Sequence, residues 1–522
     1  MYKVEKDRLF LLVKSMDKGE KRNFKLFANR IKHVDKAKFV ALFDVLGVMK
    51  KYDESIVLKK MKNVSKQQIP NIKRHLYKQI LKSLRLIHQS KDIEIQIREQ
   101  LDYAEILYGK GLYLDSLRIL DRVRKLAVAH HEQLLLLEVL EFQKRIEGRH
   151  ITRSRSVKQR MEHLIEDAQR MTELTKRMGT LSNLALSIHG YFIKNGHVRN
   201  EQQKNEIMAF FVPKIQAYTE DDLIPPEKIS LEQSQVWLNY IVQDYQQCLQ
   251  HADTWVKVFD QYPKMILSDV SLYLRGLHYA MNMCYYLGKY EMYCRYFDKM
   301  LDFKSNYSAN LNNTDRMMYF VYHSNAILNK YMLCGDFEGG LQNKSKILHE
   351  IGEYMVFLDK HRILILYYKL SWMHFVQGEL DDAMELLNEI INTEGTHLRE
   401  DVLYYSKLMH LMIHLEWGHT YLLDSLFASL KRFTQKFTNK SVFHTRLIEY
   451  LIARKEATSK DEKRIFAVNF KSWMDTWFKD LHEKRVLTYF DFYSWILSHL
   501  NGTSMTHEIQ KRYQQQKGIM SI

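Results

Sequence analysis

"LYYKLSWMHFVQGELDDAMELLNEII" runs from Leu366 to Ile391. Apolar residues recur at helical spacing on both sides of Gly378, and Leu380 follows after one spacer. Glycine takes the left-handed conformation that ends a helix at little cost. The apolar anchor two residues later can fold back between the two helices, and Ala383 is small enough to let their backbones approach. The stretch therefore reads as an antiparallel helix hairpin.

The same device occurs in "GKGLYLDSLRIL" (Gly109–Leu120), "YLGKYEMYCRYF" (Tyr286–Phe297) and "LCGDFEGGLQNK" (Leu333–Lys344). The glycine and anchor pairs there are Gly111/Tyr113, Gly288/Tyr290 and Gly335/Phe337, with Ser116 as a further small residue. Weaker members fall at Gly148, Gly196, Gln243 and Gly418. Successive turns lie 37 to 48 residues apart, the range of stacked helical hairpins. A single hairpin cannot bury its apolar face alone, so neighbours must stack.

Composition agrees with an all-α fold. Only five prolines occur in 522 residues, and none follows Pro263. Proline breaks helix interiors, so a long chain without it, rich in Leu, Lys, Glu and Met, favours helix. No run approaches the roughly 18 uncharged apolar residues of a spanning helix. The N-terminal "LFLLV" lacks the features of a signal peptide. The cysteines Cys248, Cys284, Cys294 and Cys334 fit no zinc or redox spacing. A cytoplasmic location is expected from these features.

The unit 366–391 resembles the tetratricopeptide repeat family at Leu370, Ser371, Gly378, Leu380, Ala383 and Leu387. Residues 103–123 resemble it at Ala104, Gly111, Tyr113, Ser116 and Leu120. The period is longer than the family's 34 residues, and its closing proline is missing. The resemblance implies a right-handed superhelical array of about eight antiparallel hairpins over residues 91–440, with a concave surface for a protein or peptide. Residues 1–90 would form a basic helical headpiece, and residues 441–522 aromatic-rich capping helices.

Charge is concentrated at one end. Residues 1–90 hold 23 Lys plus Arg against 8 Asp plus Glu, which is +15 of the chain's +16. Such asymmetry points to an anionic partner, such as nucleic acid or a ribonucleoprotein. Lys21, Arg22 and Lys25 lie on an amphipathic stretch, and Lys66, Lys73, Arg74, Lys78, Lys82 and Arg85 on an acid-free one. Residues 53–76 resemble a helix-turn-helix, which would make the chain a transcriptional regulator with a peptide-sensing repeat domain. Two departures weaken it: Lys59 stands near where a small residue is expected, and Pro70 lies one turn into the supposed reading helix; if the helix instead starts near Ile69, Pro70 takes the favourable first position and the residues meant for the groove lie in a loop. A second basic stretch, Lys144 to Arg160, offers Arg149, Arg153 and Arg155.

Asn282 and Asn329 each lie six residues before a turn glycine and could line a concave wall. Phe466, Phe470, Trp473 and Trp477 form a helical stripe, a core or a partner-binding hot spot. His410, His414 and His419 have a spacing that can hold a metal, but read as packed or surface histidines. Phosphate-binding loops, nucleophile elbows and HExxH are missing from the sequence. The expectation is a non-enzymatic scaffold with no catalytic, cofactor or metal residues.

Overall fold

A computed structural model describes residues 7–30, 36–61, 64–89, 92–150, 159–218, 222–355, 357–393, 399–437, 441–479 and 483–519. Among the described residues there are 26 α-helices and no strand. No helix among them is long and apolar enough to cross a membrane. The chain divides into two compact units, residues 1–179 and 180–522.

The first unit opens with α1 (Arg8–Ser15), α2 (Lys18–Asn29), α3 (Lys36–Val48), α4 (Glu54–Lys60) and α5 (Ile69–His88). Asp7 caps α1 by accepting from the Phe10 amide at 2.9 Å, and Asp17 and Glu20 cap α2 reciprocally. Phe24, Phe39, Leu42, Leu46, Val57, Ile69, Leu76 and Ile80 give these helices a core of their own. α5 starts at Ile69 with Pro70 in its first turn, so Lys66 lies in the preceding turn. α4 spans only 7 residues, and the residues meant to read a groove precede α5 rather than belong to it.

Next come α6 (Ile93–Gly109), α7 (Tyr113–Ala129), α8 (Gln133–His150) and the start of α9 (Arg160–Asn195). α6 and α7 turn at Gly111, with φ +78°, and the Ser116 hydroxyl donates to the Ala104 carbonyl at 2.8 Å. The expected turn at Gly148 does not form, because Gly148 lies inside α8. The chain reverses instead at His131, with φ 59°. α9 is 36 residues long, about 54 Å at 1.5 Å per residue.

The second unit continues from α9 through α10 (Glu201–Gln216), α11 (Pro225–Ile241), α12 (Tyr245–Gln261), α13 (Met265–Ser268), α14 (Val270–Tyr286) and α15 (Tyr290–Tyr307). Then follow α16 (Asn313–Cys334), α17 (Phe337–Leu341), α18 (Lys344–Tyr354), α19 (Lys360–Gln377), α20 (Leu380–Asn392), α21 (Glu400–Trp417) and α22 (Thr420–Lys436). Last are α23 (Val442–Glu456), α24 (Lys460–Trp477), α25 (Phe492–Asn501) and α26 (Met505–Ile519). Helices pair as α11/α12, α14/α15, α19/α20 and α21/α22, and the first helices α14, α16, α19 and α21 lie side by side in that order.

Gly196, Gly288, Gly335, Gly378 and Gly418 all have positive φ, as does Gln243 at 63°. The Cys248 thiol donates to the Val236 carbonyl at 3.3 Å, twelve residues back, as Ser116 does to Ala104. A small residue early in the second helix thus anchors the first helix in both units. Ala383 and Ser116 are fully buried. Ser459 caps α24, its hydroxyl accepting from the Glu462 amide at 3.1 Å.

The end of the chain does more than cover the last hairpin. α26 crosses back to pack on α16 and α19. Gln510 Nε2 donates to the Gly335 carbonyl at 2.9 Å, and Tyr368 donates to the Tyr489 carbonyl at 2.8 Å. Trp473 and Trp477 are partly buried in a stack with Phe443 and Phe470.

Candidate functional site

The headpiece cations differ in availability. Lys73 is half-buried and donates to Asp7 at 2.7 Å and to Tyr52, so it joins α1 to α5 instead of facing a ligand. Lys25 pairs with Asp44 at 2.7 Å and Arg85 with Asp102 at 2.8 Å, all four exposed. Arg74, Lys78 and Lys82 fall at four-residue spacing on one exposed face of α5, a helix without an acidic residue. Arg74 to Lys82 spans about 12 Å at 1.5 Å per residue. Arg22 and Lys66 are exposed, and Lys21 is half-exposed.

The second basic stretch is largely neutralised. Lys144 bonds Glu141 at 2.7 Å, Arg145 bonds Glu105 at 2.5 Å and Arg160 bonds the buried Glu147 at 2.6 Å. Arg149 donates to the Tyr108 hydroxyl at 3.3 Å. Arg153 and Arg155 lie outside the described residues.

In the second unit, α14, α16 and α19 bring a polar wall together. Asn329 donates to Asn282 Oδ1 at 3.4 Å, across the 47 residues that also separate their turn glycines. Asn329 is only 3% exposed, so it holds Asn282 from behind, while Asn282 keeps accessible surface. Asn282 Nδ2 lies 2.9 Å from His278 Nε2, and the His278 ring lies on Tyr322 at 4.5 Å. Arg362 approaches the same Tyr322 ring at 6.0 Å. Lys369 Nζ donates to Asn325 Oδ1 at 2.8 Å.

The electrostatics follow from burial and like charge. Enclosure, then Lys369, Arg362 and Arg275, pushes His278 down to about 3, so its ring is neutral. Enclosure, then Arg399, lowers Lys369 to about 7 from an ordinary 10.5. Lys369 makes no ion pair among the described residues, and neither does Arg275. Both keep part of their surface accessible. Such a wall can stabilise an anion and offer amide hydrogen bonds to a peptide backbone. Of these groups, sequence reading found the two asparagines. Lys369, Asn325 and Arg275 share no register with them and carried no repeat signal.

A second polar cluster forms around Asp401. Arg399 grips Asp401 through two bonds of 2.8 Å, Tyr489 donates to Asp401 at 3.0 Å, and Arg485 donates to the Tyr489 hydroxyl at 3.0 Å. Burial pushes the Asp401 carboxyl up, but the Arg399 fork and the Val402 and Tyr489 donors outweigh it and hold it below the usual range. Beside this network lies a cleft of about 620 Å³ bounded by His197, Tyr405, Phe437, Ser441, Arg485 and Tyr489, among others.

One group of potential metal ligands occurs among the described residues. His374 Nδ1 and the Glu379 and Asp382 carboxylates lie within 4.8 Å of one another. Lys344 donates to Asp382 at 2.6 Å and puts an ammonium where a cation would bind. His414 and His419 face each other through Nδ1 at 3.1 Å, with the His410 ring 4.8 Å from His414. Burial, then His414 and Lys407, lowers His410 to about 4. No family model, no curated protein and no solved structure matches the chain.

Proposed function

We propose that the chain is a non-enzymatic, tetratricopeptide-like adaptor of the cytoplasm. Its hairpins stack as a right-handed superhelix, and the face formed by α14, α16, α19 and α21 holds an extended segment of a protein partner. Left-handed turns at a recurring interval and the ordered neighbours α14, α16, α19 and α21 support the stacking. The observation that carries the binding role is Lys369: an enclosed ammonium with no carboxylate partner among the described residues, next to amides on two neighbouring helices. A buried cation without a counter-ion is costly, and an acidic group on a ligand removes that cost. The segment bound is therefore acidic.

The headpiece engages a polyanion, such as nucleic acid or a ribonucleoprotein, through Arg74, Lys78 and Lys82. Their alignment on an acid-free exposed face supports this. Lysine-rich contact of this kind gives salt-sensitive attraction without sequence reading. The helix-turn-helix regulator gains no support from a helix that starts at Ile69.

A displayed random peptide library panned against the full chain tests the adaptor reading. Wild type should enrich acidic sequences, and Lys369→Met combined with Asn282→Ala should abolish the enrichment. No enrichment, or enrichment that survives in the double variant, would refute it.

A further inference from the structure

The cleft beside Arg485 has a composition that peptide docking does not require. Its walls come from distant parts of the second unit: the turn after α9 at His197, Tyr405 of α21, Phe437 and Ser441 between α22 and α23, and the 3-10 turn Glu483–Thr488 that leads to Tyr489. Tyr405 and Tyr489 stack face to face, with centroids 4.5 Å apart and an 11° tilt. Phe437 stacks on Tyr404 at 4.9 Å. Tyr404 meets Tyr405 edge-on at 89°, so the cleft's aromatic lining presents rings at two orientations. A volume of about 620 Å³ lies within the roughly 300–1,000 Å³ typical of small-molecule sites.

The polar groups in the cleft are fixed in advance. His197 donates from Nδ1 to the Tyr240 carbonyl at 2.8 Å, which sets its tautomer. His444 Nε2 lies 3.1 Å from the Tyr405 hydroxyl, and Ser441 caps the other side of the same ring at 3.1 Å. Tyr489 is held by Asp401. The Arg485 guanidinium offers five donors and spends one of them on Tyr489. No carboxylate pairs with it among the described residues, although Glu483 also borders the cleft. Asp401 is already committed to Arg399. The cleft thus holds a guanidinium fork that, among the described residues, is bonded to one hydroxyl and paired with no carboxylate, amid an aromatic lining.

We infer that this cleft is a binding site for a small organic anion, whose apolar body packs against the lining rings of Tyr405, Tyr489 and Phe437 and whose carboxylate or phosphate oxygens take the Arg485 guanidinium. Planar, bidentate recognition of such oxygens is what arginine does best. None of Lys369, Asn282 and Asn325 lines this cleft, and a ligand there would act as an effector distinct from the bound segment.

Titration calorimetry and saturation-transfer NMR on the full chain test this with four probes: 1-naphthoate, 1-naphthyl phosphate, the neutral 1-naphthamide and inorganic phosphate. At least one naphthyl anion should bind, with the amide and the bare phosphate each about ten-fold weaker or more, as expected for loss of a charge-assisted pair or of the apolar contact. Which anion binds better tells carboxylate from phosphate. Arg485→Met should lose the preference for the anions. Thr445→Trp, which fills the cleft from its rim and leaves Arg485 in place, should lose binding altogether; circular dichroism melts check that both variants fold. The inference is overturned if neither anion binds at 5 mM (about the weakest range a preformed site would show), if the amide matches them, or if a folded Thr445→Trp or Arg485→Met binds as wild type does.

Discussion

Replacing Lys369 with methionine removes an ammonium that the fold encloses without a counter-ion among the described residues. Its shift from 10.5 to about 7 corresponds to a ceiling of about 5 kcal/mol at roughly 1.4 kcal/mol per unit. Two effects reduce this. The side chain keeps accessible surface, which screens the charge, and Asn325 Oδ1 loses its donor, a cost of about 1–2 kcal/mol. A net stabilisation of about 1 kcal/mol at pH 7 is expected. The pH dependence is sharper than the absolute value. Between pH 7 and 10.5 the unfolded chain keeps the Lys369 proton that the folded chain has released, so wild type gains stability relative to the variant as pH rises. The gap is full below pH 7 and closes towards pH 10.5. All seven tryptophans, from Trp237 to Trp495, lie in the second unit, so tryptophan fluorescence during urea unfolding reports on that unit alone. A gap that stays constant from pH 6 to pH 10 would refute the assignment of an unpaired ammonium.

Other substitutions give separate readouts. Gly335→Ala should cost about 1–3 kcal/mol in the same unfolding assay, because φ is +74° and the new Cβ would sit 2.7 Å from Gln510 Cγ. Gly190→Ala on the exposed side of α9, with nothing within 4 Å, should instead raise stability by about 0.5–1 kcal/mol. Tyr489→Phe leaves one Asp401 oxygen and the Arg485 fork without the hydroxyl between them, and should lower the thermal midpoint by an amount equivalent to about 1–2 kcal/mol. Lys78→Glu with Lys82→Glu should reduce the slope of log affinity for heparin or duplex DNA against log salt by about 2, whereas Lys73→Gln should mainly destabilise the headpiece.

The hairpin turns were legible because a left-handed residue is a local demand that glycine meets at a recurring place. Gly111, Gly196, Gly288, Gly335, Gly378 and Gly418 all meet it. Gly148 misled because a glycine is also tolerated inside a helix, while the true reversal at His131 uses a residue that nothing in the sequence marks. The Asn282–Asn329 contact was legible because both hold the same offset from their turns. The rest depends on distance along the chain. Lys73 looked like its exposed neighbours until Asp7, 66 residues away, accounted for its charge. Arg145 and Arg160 met acids on other helices in the same way. The return of α26 onto α16 and α19 and the assembly of Arg399, Asp401, Arg485 and Tyr489 join parts of the chain more than 80 residues apart, where periodicity says nothing.

The proposed docking of an acidic segment on Lys369 has a direct calorimetric signature. An acid-rich peptide selected by the full chain can be titrated calorimetrically at pH 8 in two buffers of different ionisation enthalpy. A free Lys369 titrating near 7 is mostly neutral at that pH, so pairing with a carboxylate should draw close to one proton from the buffer. That uptake is expected for wild type and should disappear in Lys369→Met. Binding with no proton uptake by wild type, or with the same uptake by the variant, would contradict the proposed docking.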